Sequence, residues 1–93
     1  MNRLVGVVSP FVINLPFYLF VNGKKEPSQT IIFHQNNNFC SELVDVIKKY
    51  NIECVDIAGP TIYTQKIKYL IEDQAKDKYN LSTVEINLIG SAR

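Results

Sequence analysis

The sequence is poor in the residues that build metal, disulfide and strongly charged sites. It contains two cysteines, Cys40 and Cys54, one histidine and no tryptophan, and its ten basic residues barely outnumber its nine acidic ones. Two cysteines are too few for a disulfide framework or a zinc site. A net charge of +1 provides no field to attract nucleic acid or an anionic membrane. We therefore expect reduced thiols, no metal, no cofactor, and neither a nucleic-acid nor a membrane partner.

The chain also lacks an uninterrupted hydrophobic run of membrane-spanning length. Residues 4–21 are mostly apolar and follow Arg3, which superficially resembles a signal peptide, but Pro10, Asn14 and Pro16 interrupt them. No small-residue cleavage site follows. We expect this segment to form strands and the protein to be cytoplasmic.

The composition suits one small globular domain. The 93 residues are 46% hydrophobic and 20% charged, which excludes a disordered chain. A chain of this length buries about 60–65% of its unfolded surface, so its core is marginal. We expect residues 1–93 to form a single domain. Alanine and arginine are scarce relative to isoleucine, asparagine, lysine and tyrosine, a bias typical of a low-GC bacterium or one of its phages.

Hydrophobic periodicity predicts five strands and two helices. Three segments rich in β-branched and aromatic residues predict an antiparallel meander, with Asn22-Gly23 as a hairpin turn. Helical spacing predicts one helix after an Asn38 N-cap and a second that Thr61 or Thr64 caps. The apolar stripe of the second helix is predicted to be Ile67, Leu70, Ile71 and Ala75. The predicted strands are residues 4–8, 17–21, 30–34, 52–57 and 84–89, and the predicted helices are residues 38–51 and 61–79. Gly59-Pro60 is expected to stop the fourth strand, and residues 90–93 to form a frayed tail.

This order, β-β-β-α-β-α-β, predicts an α/β protein with a mixed sheet that helices cover. It is the topology of the RNase H-like core, which ribonuclease H shares with the sugar kinase/Hsp70/actin superfamily. The alternative is a ferredoxin-like sandwich, which would require residues 4–8 to be a loop.

Acidic residues are missing where an RNase H-like nuclease needs them. Such an enzyme holds two metal ions between carboxylates, yet residues 4–9 contain no acid and Asp56 is the single carboxylate near a plausible metal position. No residue pattern identifies another reaction, so we predict no catalytic residues and favour a protein that is not an enzyme.

Two features remain as candidate binding residues. Gly59, Thr61 and Thr64 lie between a strand and a helix, where free backbone N–H groups can bind an anion, although an ordinary turn with a hydroxyl cap is the favoured interpretation. His34 has no acidic or cysteine partner at a catalytic spacing, so we interpret it as a surface residue at a strand end.

Three short motifs resemble one protein family. Residues 59–64 read GPTIYT, which is similar to its Gly-Pro-x-x-Phe-Thr signature. Residues 21–24 read VNGK and resemble its second-strand turn, and residues 46–52 read VIKKYNI, like the end of its first helix. The family is the non-catalytic partner subunit of bacterial tRNA threonylcarbamoyladenosine synthesis, a member of the kinase/Hsp70/actin superfamily.

The resemblance implies a binding role with no nucleotide cleft. The family has two lobes with the nucleotide cleft of its superfamily between them, and this chain matches the first lobe alone. It also has Val7-Val8-Ser9 where the family's first strand ends in Ile-Asp-Thr. The family uses the two helices of this lobe to contact its catalytic subunit.

We therefore predict a protein-interaction module, a truncated or phage-encoded relative of that subunit. Its partner is another protein or a second copy of the chain. Tyr63, Lys66 and Tyr69, spaced three apart on the second helix, are the predicted interface, since tyrosine buries its ring against a partner while its hydroxyl stays in water. The alternative function is a small phosphate- or nucleotide-binding enzyme that uses residues 59–64, with Asp56 and His34 nearby.

Overall fold

A computed structural model describes residues 1–92 of the chain, and the side chains of residues 1–89. The strands are β1 (Arg3–Val8), β2 (Pro16–Val21), β3 (Gln29–Ile32), β4 (Cys54–Pro60) and β5 (Glu85–Ala92), and the helices are α1 (Phe39–Lys49) and α2 (Thr61–Leu70), which continues into a π-helical turn (Ile71–Ala75). No helix among these residues combines the length and apolar character needed to cross a membrane.

The five strands form one mixed sheet in the order β3-β2-β1-β4-β5. β2 runs antiparallel to β1 and β3, whereas β1, β4 and β5 are parallel. The predicted α/β class with a mixed sheet and two helices is therefore confirmed. The alternative ferredoxin-like sandwich is wrong, because it required residues 4–8 to be a loop and they form the central strand.

The two faces of the sheet are covered to different extents. Alternate side chains on the central strands are almost fully buried: Leu4, Val8, Phe17, Leu19, Val21, Val55 and Ile57. Phe39 of α1 packs on Phe17 with 5.7 Å between ring centroids, and α1 contacts the π-helical turn that follows α2. Both helices thus lie on this face. On the opposite face Val5 and Val7 are half-buried, and we call it the half-covered face.

Both helices begin at the predicted positions, but neither has the predicted side-chain cap. Asn38 is the N-cap residue of α1 but makes no side-chain cap. Instead, the side chain of Asn36 accepts the Asn38 backbone N–H at 3.0 Å and donates to Glu42 at 3.1 Å. Pro60, rather than Thr61 or Thr64, is the N-cap residue of α2, and no described side chain caps that helix.

The second helix changes geometry before its predicted end. α2 ends at Leu70, and the backbone N–H of Lys76 donates to the carbonyl of Ile71 at 3.0 Å, five residues earlier. The prediction of one α-helix to residue 79 is therefore wrong, whereas its predicted apolar stripe is confirmed. Ile67, Ile71 and Ala75 are at most 1% exposed.

The parallel strands extend further than predicted. β4 runs through Gly59-Pro60 and, after a shift in register, pairs with residues 91 and 92 of β5. Gly59 permits this because its φ is +133° and a Cβ atom there would lie 3.0 Å from the carbonyl oxygen of Val8. The predicted stop of the fourth strand at Gly59-Pro60 is therefore wrong, and so is the predicted frayed tail for residues 90–92. Residue 93 lies outside the described chain.

Candidate functional site

A groove of about 590 Å³ lies at one end of the sheet. Three segments that are distant in sequence form it: the loop between β1 and β2, the connection from β3 to α1, and the first turns of α2. Its lining residues are Val12, Ile13, Asn14, Leu15, Phe33, His34, Gln35, Tyr63 and Lys66. The groove thus combines apolar walls with two basic side chains.

Backbone hydrogen bonds hold the β1–β2 loop in place. Ser9 donates to the carbonyl of Pro16 at 3.0 Å and closes the base of the loop, and within it Leu15 donates to Val12 at 3.2 Å. The next segment is joined to the loop, since Phe33 donates to the carbonyl of Leu15 at 3.1 Å. These hydrogen bonds close the base of the loop and join Leu15 to the segment that follows β3.

Strained backbone conformations are concentrated at the groove. Asn14, Leu15 and Gln35 have φ values of 71°, 50° and 50°. A left-handed conformation costs an L-residue such as leucine roughly 1–2 kcal/mol. Strain of this kind persists where the surrounding structure enforces it, and it clusters at binding sites.

The loop also presents large apolar side chains to solvent. Phe11 is 96% exposed and Ile13 is 85% exposed, and Pro10 precedes them. Val12 and Ile13 also line the groove. An exposed apolar patch beside a groove is typical of an interaction site, because water solvates such side chains poorly.

Two of the three predicted interface residues lie in this groove. Tyr63 and Lys66 line it, one helical turn apart on α2, together with His34. Tyr69 is 61% exposed but is not among the lining residues. Lys66 forms no ion pair with a carboxylate of the described chain, and the lining contains no acidic residue. The groove is therefore basic.

The three predicted anion-binding residues occupy different environments. Thr61 is exposed at the first position of α2. Thr64 is 2% exposed, and its hydroxyl donates to the carbonyl of Thr61 at 3.3 Å. Gly59 lies within β4 against Val8. Thr61 alone therefore presents its side chain to solvent, and none of the three lines the groove.

Asp56 belongs to a separate polar cluster on the half-covered face of the sheet. Its carboxylate accepts hydrogen bonds from Arg3 at 2.8 Å and Asn87 at 3.2 Å, and the thiol of Cys54 lies 3.6 Å away. Burial opposes ionisation of Asp56, but the hydrogen bonds from Arg3 and Asn87 and the charge of Arg3 together hold its pKa below the usual value. Within the described residues, no three metal-ligating side chains are grouped to hold a metal ion.

Burial also raises the pKa of the Cys54 thiol, and the neighbouring Asp56 carboxylate raises it further. A thiol in that state is a poor nucleophile, because the thiolate is the reactive form. Arg3 and Asn87 each donate to a different carboxylate oxygen of Asp56. The cluster is thus a structural contact that joins β1, β4 and β5.

Comparison with known proteins adds no family to this description. No family model matches the chain, and no curated protein or solved structure matches it at a significant level. The arrangement of its own residues therefore carries the functional argument.

Sequence reasoning missed most of the apolar groove wall. Val12, Ile13 and Leu15 lie in a segment interpreted only as a connection, and Phe33 in a predicted strand. One signal was available: three consecutive large apolar residues, 11–13, stand between two prolines, where a solvent-exposed loop normally carries polar residues. Their proximity to Tyr63 and Lys66 required the fold.

Proposed function

We propose that this chain is a non-catalytic protein-interaction module with an RNase H-like fold, and that its groove and the adjoining apolar loop are its docking surface. Its partner is another protein, and its setting is the cytoplasm, which the free state of Cys40 and Cys54 supports.

The element order and strand directions support the RNase H-like assignment. Three strands precede the first helix, and the two later strands each follow a helix and lie parallel to β1. This is the arrangement that the β-β-β-α-β-α-β order implies for a mixed sheet with crossover connections.

The main support for this docking surface is the exposure of Phe11 and Ile13 on a hydrogen-bonded loop at the groove. Backbone hydrogen bonds that restrict the loop in advance reduce the entropy lost on binding. Aromatic side chains are enriched at protein interfaces and among the anchors that dominate binding energy, and Phe11 belongs to that class.

The resemblance to the tRNA-modification partner subunit supports the same surface. The residues of the GPTIYT motif end β4 and begin α2, and Tyr63 of that motif lines the groove. In that family, the two helices of this lobe contact the catalytic subunit. We accordingly include a relationship to that subunit in the proposal.

Photo-cross-linking tests the docking surface and identifies the partner. Phe11 is replaced with benzoylphenylalanine, a conservative change at a side chain that is 96% exposed, and Lys25, exposed in the β2–β3 connection, carries the same probe as a control. We expect one host protein to be cross-linked from position 11 and not from position 25, and mass spectrometry names it. Equal cross-linking from both positions contradicts the proposal.

A matched pair of double variants then measures the contribution of the loop. Phe11→Ser with Ile13→Ser removes two exposed apolar side chains at the groove, and Ile62→Ser with Leu88→Ser removes two that do not line it, at 71% and 41% exposure. We expect the first variant to weaken binding of the purified partner at least about tenfold, or 1.4 kcal/mol. The second should bind like the wild type, and the reverse order would place the interface away from the groove.

Phosphate or nucleotide binding at the start of α2 is the alternative function, and the absence of a side-chain cap on that helix favours it. A ligand present at about 100 times its dissociation constant would raise the free energy of unfolding by about 2.7 kcal/mol. A thermal shift with millimolar phosphate or nucleotide that Lys66→Ala abolishes would support this alternative. We expect no shift.

A further inference from the structure

The groove at the end of the sheet has a charge that the rest of the chain does not share. Its lining includes His34 and Lys66 and no acidic residue. All nine acidic residues lie outside the three segments that form the groove, since residues 4–25, 27–41 and 57–71 contain neither aspartate nor glutamate. A chain with a net charge of only +1 thus keeps its carboxylates away from this one surface.

Acidic residues that flank these segments in sequence are engaged elsewhere. The carboxylate of Glu42 accepts a hydrogen bond from the side chain of Asn36 at 3.1 Å, and that of Glu72 lies 3.4 Å from the ammonium group of Lys76. Lys66, by contrast, forms no ion pair within the described chain. Its ammonium group can therefore pair with an anionic group that an occupant of the groove supplies.

Apolar side chains lie in the same groove as this charge. Val12, Ile13, Leu15 and Phe33 all line it, and Val12 and Ile13 are 44% and 85% exposed. Burial of apolar surface supplies binding energy, whereas a charged group fixes the register of the occupant and rejects wrong partners. An occupant that complements both features carries large apolar groups next to a negative charge.

A carboxylate on a peptide complements the groove better than a nucleic acid does. Lys66 is the one lysine or arginine among the described lining residues, and nucleic-acid affinity depends on neutralising several phosphates at once. Proteins that bind single strands also stack the bases on aromatic rings. Val12, Ile13 and Leu15 are aliphatic instead, and aliphatic walls suit the apolar side chains of a peptide.

We propose that the groove binds a segment of the partner in which an aspartate or glutamate stands next to large apolar residues. The carboxylate pairs with Lys66, and the apolar side chains pack on Val12 and Ile13 of the β1–β2 loop. This inference rests on the proposed function, because it takes the groove as the docking surface, and it adds the chemistry of the segment that occupies it.

A phage-displayed library of random short peptides is the probe for this chemistry. The full chain is immobilised, and the peptides that it retains are sequenced. We expect the retained peptides to share an aspartate or glutamate beside aliphatic or aromatic residues. Retention of peptides without an acidic residue, or of no peptide at all, would overturn the proposal.

Charge reversal at Lys66 tests the ion pair directly. Lys66→Glu should weaken binding of a selected peptide at least about tenfold in fluorescence anisotropy, because like charges then face each other. Lys68→Glu makes the same change on the same helix at a residue outside the groove lining, and it should bind like the wild type. A peptide with lysine in place of its acidic residue should prefer Lys66→Glu to the wild type. Circular dichroism verifies that both variants are folded.

The double variant Phe11→Ser with Ile13→Ser separates this inference from the proposed function. Peptides that this variant binds weakly, but that Lys66→Glu binds like the wild type, would overturn the acidic occupant and leave the docking surface standing. Peptides that do not depend on the loop would overturn both. Displacement of a selected peptide by inorganic phosphate, but not by chloride at the same ionic strength, would assign the groove to a phosphate ligand and would also overturn the proposal.

Discussion

At the scale of single residues, Gly6 fits closely against the ring of Phe17. Gly6 lies in the middle of β1, on the face that the helices cover. The terminal ring atoms of Phe17 occupy the space that a Cβ atom at Gly6 would need. Phe17 itself is fully buried and packs on Phe39 of α1. The absence of a side chain at Gly6 thus sets how closely α1 approaches the sheet.

Gly6→Ala should lower the free energy of unfolding by about 1–3 kcal/mol, because the added methyl group displaces a packed aromatic ring. Urea denaturation measures this value. The double variant with Phe17→Leu provides the control, since leucine leaves room for the methyl group. Its loss should be smaller than the sum of the two single losses. Additive losses would show that the ring does not impose the requirement for glycine.

At the scale of the element, α2 is attached to the sheet through one apolar stripe. Ile67 is fully buried on α2, and Ile71 and Ala75 continue the stripe in the π-helical turn. Gln65 on the same helix is exposed. Since α2 contributes Tyr63 and Lys66 to the groove, its attachment to the sheet also determines the shape of the candidate site.

Ile67→Ala should lower the free energy of unfolding by roughly 2–5 kcal/mol, because it removes buried methyl groups and leaves a cavity. Gln65→Ala on the same helix should change stability by no more than about 0.5 kcal/mol. Thermal unfolding measures both, and in a domain of this size each 1 kcal/mol lowers the melting temperature by about 4–8 °C. Equal effects of the two changes would mean that α2 presents a different face to the sheet.

At the scale of the whole molecule, the pair formed by Arg3 and Asp56 links the three parallel strands on the half-covered face. The side chain of Arg3 is 51% exposed, whereas that of Asp56 is 7% exposed. Asn87 completes the contact from β5. A buried carboxylate with these partners is more stable in its ionised form in the folded chain than in the unfolded chain.

This difference makes stability depend on pH in acid. The pKa of Asp56 is lowered in the folded state, so the ionised carboxylate contributes stability above the unfolded pKa, about 3.9. That contribution is lost as the pH falls through the lower folded value. Asp56→Asn should therefore be less stable at neutral pH and should lose less stability on acidification below about pH 4. Urea denaturation over a pH series tests this, and parallel pH profiles for the two proteins would contradict it.

The local patterns of the sequence predicted the elements well where neighbouring residues decide the conformation. Asn22-Gly23 forms the expected turn, with φ values of 53° and 74°, because both residues tolerate the left-handed region. Ile67 and Ile71 are buried as their spacing predicts. The ends of elements were less predictable. Whether β4 stops before or after Gly59-Pro60 depends on pairing with residues 91 and 92 of another strand.

The sequence by itself determined the α/β class, the order of the elements and the apolar face of each helix, since these follow from side-chain periodicity within short segments. Only the tertiary structure decided the strand order, the half-covered face with its Arg3–Asp56 pair, and the groove. No local pattern relates the groove residues Val12, Phe33 and Tyr63. Along the chain, two strands separate Val12 from Phe33, and a helix and a strand separate Phe33 from Tyr63. They meet because the chain buries Phe17, Ile57 and Ile67 in one core, and that packing brings the loops at one end of the sheet together.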